Sequence, residues 1–299
     1  MPAGGRISED IKSLVMTQTL HLPDVTLCVV STREPELGAL SLQRSMKGVR
    51  YASVIMVSPP DFTVTLKDVS KIVIARFASI REYSAFLLED LSECIKSSHV
   101  LLVQWDGFVV NPTVWQADFL QYDYIGAVWP QFDDGMNVGN GGFSLRSRRL
   151  LRALQGPDIE LSHPEDVCIC RINRRRLESK YGIRFAPEDV ARQFSFEREK
   201  PSRTTFGFHG LFAFPQIMPD DELLEFVQKM PPAILGGRDT LDLCKALLLA
   251  PSPLRLNVID VICSRLPLAH ALSPAWMGIR AKAAMQYKSS KRAQNTIAR

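Results

Sequence analysis

Residues Val25 to Ser31 read VTLCVVS, a β-branched and nearly continuous apolar run of the kind found in strands covered on both faces. A strand that must be buried on two sides restricts the chain to layered folds. Similar runs follow at Ser53–Val57 (SVIMV, stopped by Pro59-Pro60), Lys71–Ala75 (KIVIA) and His99–Gln104. Between them lie helical patterns. Leu37–Met46 fits a short helix, and Ile80, Tyr83, Phe86, Leu87, Leu91, Cys94 and Ile95 mark the apolar face of an amphipathic one. Alternating strands and helices predict an α/β fold with a mainly parallel sheet flanked by helices.

Beyond residue 120 the pattern loosens. Tyr122–Trp129 reads as another strand and Pro130–Asn137 as a polar loop. Phe143–Leu145 leads into a basic helix around Ser147–Leu154. Pro164 opens a helix expected to reach about Lys180, with Glu165 and Asp166 suited to its positive end. After Pro215 short helices are separated by Pro231-Pro232, Gly236-Gly237 and Pro251/Pro253. The expected organisation is a flexible leader over 1–20, an α/β domain over 21–220, and a helical C-terminal extension over 221–299 ending in a basic tail.

Composition narrows the function classes. A net charge of +4 over 299 residues does not suit a dedicated nucleic-acid binder. Six basic residues and no acid lie between Arg280 and Arg299, so the rest of the chain is slightly acidic. The six cysteines are scattered, and Cys168-Ile169-Cys170 is not a paired C-x-x-C, which points to buried free thiols in a reducing compartment. Met1–Gln18 lacks the apolar core of a secretory signal, and no apolar run approaches the ~20 residues needed to span a bilayer. A cytoplasmic location is expected.

Open α/β sheets bind ligands outside the carboxyl ends of their strands. The first strand ends in Ser31-Thr32-Arg33-Glu34-Pro35, without a dinucleotide fingerprint, and no phosphate-binding P-loop occurs. NAD enzymes and P-loop NTPases are thereby disfavoured. The fourth strand ends instead in LLVQWDGFVV, Leu101–Val110. Asp106-Gly107 reads either as a tight turn or as a strand end holding a carboxylate over a ligand.

Four features then follow in order: Gln104-Trp105-Asp106, the glycine-rich run Asn137–Phe143, Pro164-Glu165-Asp166, and His209 within Phe208-His209-Gly210. This order resembles the shared core of GT-A fold glycosyltransferases. More closely, "VQWDGFVVNP", "YDYIGAVWP", "NVGNGGFSLRS", "EDV" and "FGFHG" resemble a bacterial glycosyltransferase-like family of unknown function. The resemblance covers Val25 to Phe214, about two thirds of the chain, and departs from the family pattern where Gln104 replaces the first acid of the aspartate motif.

The resemblance implies a GT-A-like, Rossmann-like fold and a metal-dependent transferase. Such an enzyme moves a sugar from a nucleoside diphosphate sugar to a hydroxyl of a glycan or lipid-linked acceptor, in polysaccharide biosynthesis. Asp106 and His209 would ligate Mn²⁺ or Mg²⁺, imidazole favouring Mn²⁺. Asp166 would be the base of an inverting reaction, and Glu165 would orient acceptor or sugar. Asn140, Gly141, Gly142, Gln104 and Trp129 would meet the donor sugar. Thr32, Arg33, Ser58, Arg81 and Ser84 would meet its nucleotide, with Tyr83 a softer candidate. The rivals are a retaining transferase on the same fold, a non-catalytic sugar-nucleotide or glycan-binding module with a decayed metal site, and, more weakly, a nucleotidyltransferase. The basic, partly apolar tail suggests a peripheral contact with anionic membranes.

Overall fold

The computed structural model describes residues 19–297, with side chains up to residue 288. The leader up to residue 18, and the side chains of Lys291, Arg292 and Arg299 in the tail, lie outside the described residues. Among the described residues the main sheet has six strands: β1 (Leu20–Val30), β2 (Val49–Ser58), β3 (Ser70–Val73), β4 (His99–Val103), β6 (Tyr124–Ile125) and β7 (Phe143–Ser147). Their order is β3-β2-β1-β4-β7-β6. The first four run parallel, and β7 joins β4 antiparallel. This is the expected mixed, mainly parallel, Rossmann-like α/β architecture with a helical C-terminal extension.

The apolar runs become the central strands because both of their faces are covered. Leu27, Val29, Met56, Leu101 and Val103 point into a layer closed by Phe119, Phe143, Phe194 and Phe206. Cys28, Val30, Val57, Val100 and Leu102 point the other way, under Tyr83, Phe86, Leu87 and Leu91. Three sequence expectations change in detail. The helix opened by Pro164 is split into Glu165–Val167, a π-helical turn Cys168–Ile172, and Arg174–Tyr181. The 80–95 helix is broken into Ile80–Ala85, a π-helical turn Phe86–Asp90, and Leu91–Cys94. The 122–129 strand shrinks to Tyr124–Ile125; beyond Gly126 the chain leaves β7 and pairs instead with the glycine-rich run, through a Val128–Val138 bridge and the Trp129 N–H bond to the Asn137 carbonyl.

A small second sheet completes the fold: β5 (Gly107–Val109), β9 (Gly207–His209) and β8 (Ser195–Phe196), in the order β5-β9-β8. Its apolar side is Phe108, Phe196 and Phe208, with Phe214 of the following helix packed on it. These rings share one cluster with Leu223, Phe226, Leu243, Ile259, Trp276 and other residues of the C-terminal helices. The helical extension therefore packs on the small sheet. No helix among the described residues is long and apolar enough to cross a membrane. All six cysteines are free, and all but the partly exposed Cys94 are buried.

Asp123 pins the edge of the main sheet. Its buried carboxylate accepts from the Ser147 hydroxyl, the Arg149 guanidinium and the Arg184 N–H. Burial opposes ionisation, but these donors outweigh it and hold the Asp123 carboxyl below the ordinary aspartate range. Asp123→Ala is expected to lose about 1–3 kcal/mol in chemical denaturation, from buried donors left unmet. Because the folded pKa is depressed, the pH-dependent part of this stability is complete above the unfolded value of about 4. It is lost as pH falls through the folded one. The gap between parent and variant, followed by denaturation from pH 7 downward, should therefore narrow in acid.

Candidate functional site

The site begins with a register. In the small sheet Gly107 pairs with His209 and Phe108 with Phe208. Asp106, one residue before β5, is thus set beside the end of β9, and the Gly210 N–H donates to its carbonyl. The Gly107 N–H donates to the Gln104 carbonyl, so residues 104–107 form a tight turn as well. Asp-Gly is therefore a tight turn, and that turn swings the Asp106 carboxylate toward His209. Asp106 Oδ1 lies 3.3 Å from His209 Nε2, and Gln104 Oε1 lies 3.2 Å from the same nitrogen.

The main sheet supplies the glycine loop. β7 pairs Phe143 with Val103, and the Gln104 N–H donates to the Gly142 carbonyl, so the loop before β7 lies against the turn after β4. Asn140 has a left-handed backbone (φ 68°), and its Oδ1 accepts from the N–H groups of Gly142 and Phe143. Two glycines are required by close approach. A Cβ on Gly142 would sit 2.1 Å from the His209 ring, and one on Gly141 would sit 2.0 Å from Glu165. Gly141 N–H donates to Asp166 Oδ2 (3.1 Å), while Asp166 Oδ1 accepts from the Val167 N–H.

These residues surround a cleft of about 300 Å³, lined by Gln104, Trp129, Asn140, Gly141, Gly142, Glu165, Asp166 and His209. A pocket of about 130 Å³, lined by Thr32, Arg33 and Phe77, adjoins it through shared Ile80, Tyr83 and Gln104. Ser84 acts at one remove, its hydroxyl 2.7 Å from Nδ1 of His163, which faces the cleft. Arg81 is exposed, and Ser58 is fully buried with its hydroxyl unpartnered; neither lines these two cavities. Trp129 is largely buried, its ring against Gly139 and edge-on to Phe132.

Glu165 is committed elsewhere. It pairs with Arg146, whose side chain is fully buried, at 3.1 Å. Arg146 also bonds Ser144 and lies over the Tyr124 ring. The pair fixes the floor of the cleft from below the glycine loop. Removing one partner of a buried ion pair strands the other, so Glu165→Ala is expected to lose about 3–5 kcal/mol of stability in urea denaturation. Asp166→Asn keeps only one of the two acceptor oxygens that meet the Gly141 and Val167 N–H groups, and should cost about 1 kcal/mol, well short of Glu165→Ala.

Two residues of the cleft stood out in no motif: His163 and Glu197. Glu197 Oε1 lies 3.5 Å from His209 Nδ1. A signal for it exists in the sequence. Phe194-Ser195-Phe196-Glu197 and Phe206-Gly207-Phe208-His209 are matching quartets of aromatic, small, aromatic and polar residues. The parallel pairing of Ser195 with Gly207 and Phe196 with Phe208 places the fourth members side by side. Burial alone would lower the His209 pKa. The Asp106 and Glu197 carboxylates outweigh it and hold the pKa well above the ordinary histidine value. Burial opposes ionisation of Glu197 too, yet its hydrogen bond to His209 keeps its pKa below the usual range. Burial and the charge of Asp106 push Asp239 upward. Among the described residues no three His, Cys, Asp or Glu side chains gather as a complete metal cage.

A family model described as a protein of unknown function (DUF5672) matches residues 67–209. No curated protein sequence matches the chain. Among solved structures, the chain is similar to the mannosyltransferase PcManGT of Pyrobaculum calidifontis in complex with GDP-Man and Mn²⁺. Identity is 15% over 92% of this chain and 85% of that one, with a TM-score of 0.39. It is also similar to an active-site mutant of LgtC (11% identity, 62% of this chain and 86% of that one, TM-score 0.38). Glycosyltransferase GlyE of Streptococcus pneumoniae is 10% identical over 62% of this chain, at a TM-score of 0.37; the chain spans 54% of GlyE.

Proposed function

We propose that the cleft is the active site of a metal-dependent, GT-A-like glycosyltransferase, moving a sugar from a nucleoside diphosphate sugar to a hydroxyl acceptor. What carries the reading is the convergence of Asp106, His209 and Gln104 beside the glycine loop. It occurs at the carboxyl end of the parallel strands, where an open α/β sheet takes its ligand. The pocket at Thr32, Arg33 and Tyr83 takes the nucleotide, and the adjoining cleft takes the sugar against Asn140, Gly142 and Trp129.

The donor set fits a divalent cation. Asp106 Oδ1 and Gln104 Oε1 lie 3.3 Å and 3.2 Å from His209 Nε2, and a carboxylate, an amide oxygen and an imidazole together suit Mn²⁺ over Mg²⁺. Asp106 and His209 would hold it, with Gln104 giving a neutral oxygen where the resembling family has an acid. Such an ion neutralises charge on a departing diphosphate. Asp166 takes the acceptor proton. Each of its oxygens accepts a single backbone N–H, so each keeps a lone pair for the hydroxyl. A base so placed contributes roughly 10²–10⁴-fold.

Asp106→Asn should abolish Mn²⁺-dependent donor binding with the fold intact. A panel of sugar nucleotides, scored by thermal shift with and without Mn²⁺, finds the donor, since stabilisation follows RT ln(1 + [L]/Kd). Equal donor affinity in Asp106→Asn overturns the metal role. With that donor, Asp166→Asn should retain affinity and lose turnover by about 10²-fold or more, because an amide cannot take the proton. Turnover within a few-fold of the parent overturns the base assignment and turns attention to a retaining mechanism.

A lipid-linked acceptor suits the C-terminal helix Pro274–Ile297. There Met277, Met285 and Tyr287 are exposed alongside Lys282 and Lys288. Trp276 and Ile279 of the same helix are buried core, so the membrane contact is tested by charge reversal and not by deleting the helix. Lys282→Glu with Lys288→Glu should reduce sedimentation with anionic liposomes, each lysine contributing about 1 kcal/mol. Unchanged sedimentation sinks the contact.

A further inference from the structure

The cleft has a second neighbour. A cavity of about 220 Å³ lies between β8, Arg192 of the Glu188–Phe194 helix, Val128, and the residues that follow β8, 197–202. Glu197 lines both this cavity and the cleft. The pocket at Thr32 and Arg33 opens into the cleft at Gln104, whose Oε1 is 3.2 Å from His209 Nε2. The second cavity meets the cleft at Glu197, whose Oε1 is 3.5 Å from Nδ1 of the same ring. The two therefore reach the cleft from opposite sides of His209.

Ser195 suits this cavity to a polar ligand. It is 2% exposed, its hydroxyl has no hydrogen-bond partner, and it lines the cavity wall. Ser58 and Ser162 also carry unpartnered buried hydroxyls, yet they line none of the three cavities. A buried hydroxyl left unmet is costly, so a ligand that supplies its partner gains affinity. The acids of the lining are already engaged: Glu199 accepts from Arg192, and Glu197 faces His209. The Ser195 hydroxyl is open, as are the exposed Lys200 ammonium and Ser202 hydroxyl at the rim. Arg192 and Lys200 balance Glu197 and Glu199, so the lining calls for a hydroxylated ligand and not for an anion. Val128 and Pro201 add apolar surface for C–H groups. At about 220 Å³ the cavity is smaller than the roughly 300–1,000 Å³ of sites for drug-sized ligands, which suits one ring and not an oligosaccharide.

We infer that this cavity is the acceptor subsite, holding one neutral sugar ring of the acceptor glycan with Ser195 as a binding contact. The assignment to the acceptor rests on the reading of the cleft given above. With the nucleotide on the Gln104 side of His209 and the transferred sugar in the cleft, the acceptor enters on the Glu197 side.

The test needs no donor. Methyl glycosides of glucose, galactose, mannose and N-acetylglucosamine are titrated onto the parent chain, Ser195→Ala and Ser202→Trp. Binding is read by saturation-transfer NMR, and circular dichroism and the thermal midpoint check the fold. At least one glycoside should bind the parent. Ser195→Ala should weaken it about 3–10-fold, the worth of one neutral hydrogen bond. The thermal midpoint should not fall, because the hydroxyl has no partner in the protein to lose. Ser202→Trp, at an exposed rim position, should block binding. A parent that binds none of the four glycosides overturns the inference, as does binding that either variant leaves unchanged. If Ser195→Ala fails to fold, the Trp variant decides. Glycoside binding that falls in both variants of a chain that turns over no sugar nucleotide keeps the glycan subsite and sinks the transferase reading alone.

Discussion

The pairing of Gly107 with His209 is the contact on which the site depends. Asp106 comes from the turn leaving the fourth strand of the main sheet, and His209 comes from a strand more than a hundred residues later. Three short strands bring them together, and backbone hydrogen bonds set the spacing between them. A slip of one residue in this ladder would turn His209 to the opposite face and Phe208 into the cleft. The rings of Phe108, Phe208 and Phe214, edge-on to one another at 4.8–5.8 Å, resist that slip by filling the apolar side.

The cleft itself is shaped by what cannot fit. His209 presses on Gly142, Glu165 presses on Gly141, and Trp129 presses on Gly139. Beneath them lies the buried Arg146–Glu165 pair. Glu165 and Asp166 are neighbours in sequence with different tasks. One is buried against a cation within the protein. The other keeps partial exposure and open lone pairs at the cleft wall.

Much of the fold was legible because the central strands are buried on both faces, which leaves continuous apolar runs such as VTLCVVS. The small sheet was not, since strands of two or three residues show no period. Tyr124–Ile125 was overestimated for a related reason: YDYIGAVW is apolar because it lies in the core, although most of it makes no ladder. At the site, Asp106, His209, Asp166 and the glycine loop were visible as residue types at strand and helix ends. Glu197 and His163 were not, because each owes its place to a contact far away in sequence. Arg81 and Ser58 read as ligand contacts from their position at element ends alone, yet the side chain of one faces solvent and that of the other is enclosed.

The cluster shared by the small sheet and the C-terminal helices has a dynamic consequence. Proteins open in cooperative units that follow their packing. Asp106, Glu197 and His209 border a unit that includes Phe226, Leu243 and Trp276, while Asn140 and Asp166 belong to the body built on the large sheet. The stacked rings of Trp105 and Phe226, 6.3 Å apart, couple the Asp106 turn to the helices directly. In amide exchange the backbone of β9 should thus share its slow phase with the Arg238–Leu249 and Pro253–Ser264 helices, and not with β1 or β4. The seam between these two units runs through the cleft. A relative shift along it would change the separation of His209 from Asp166, and would be opposed by the His209–Asn140 contact and the packing of His209 on Gly142.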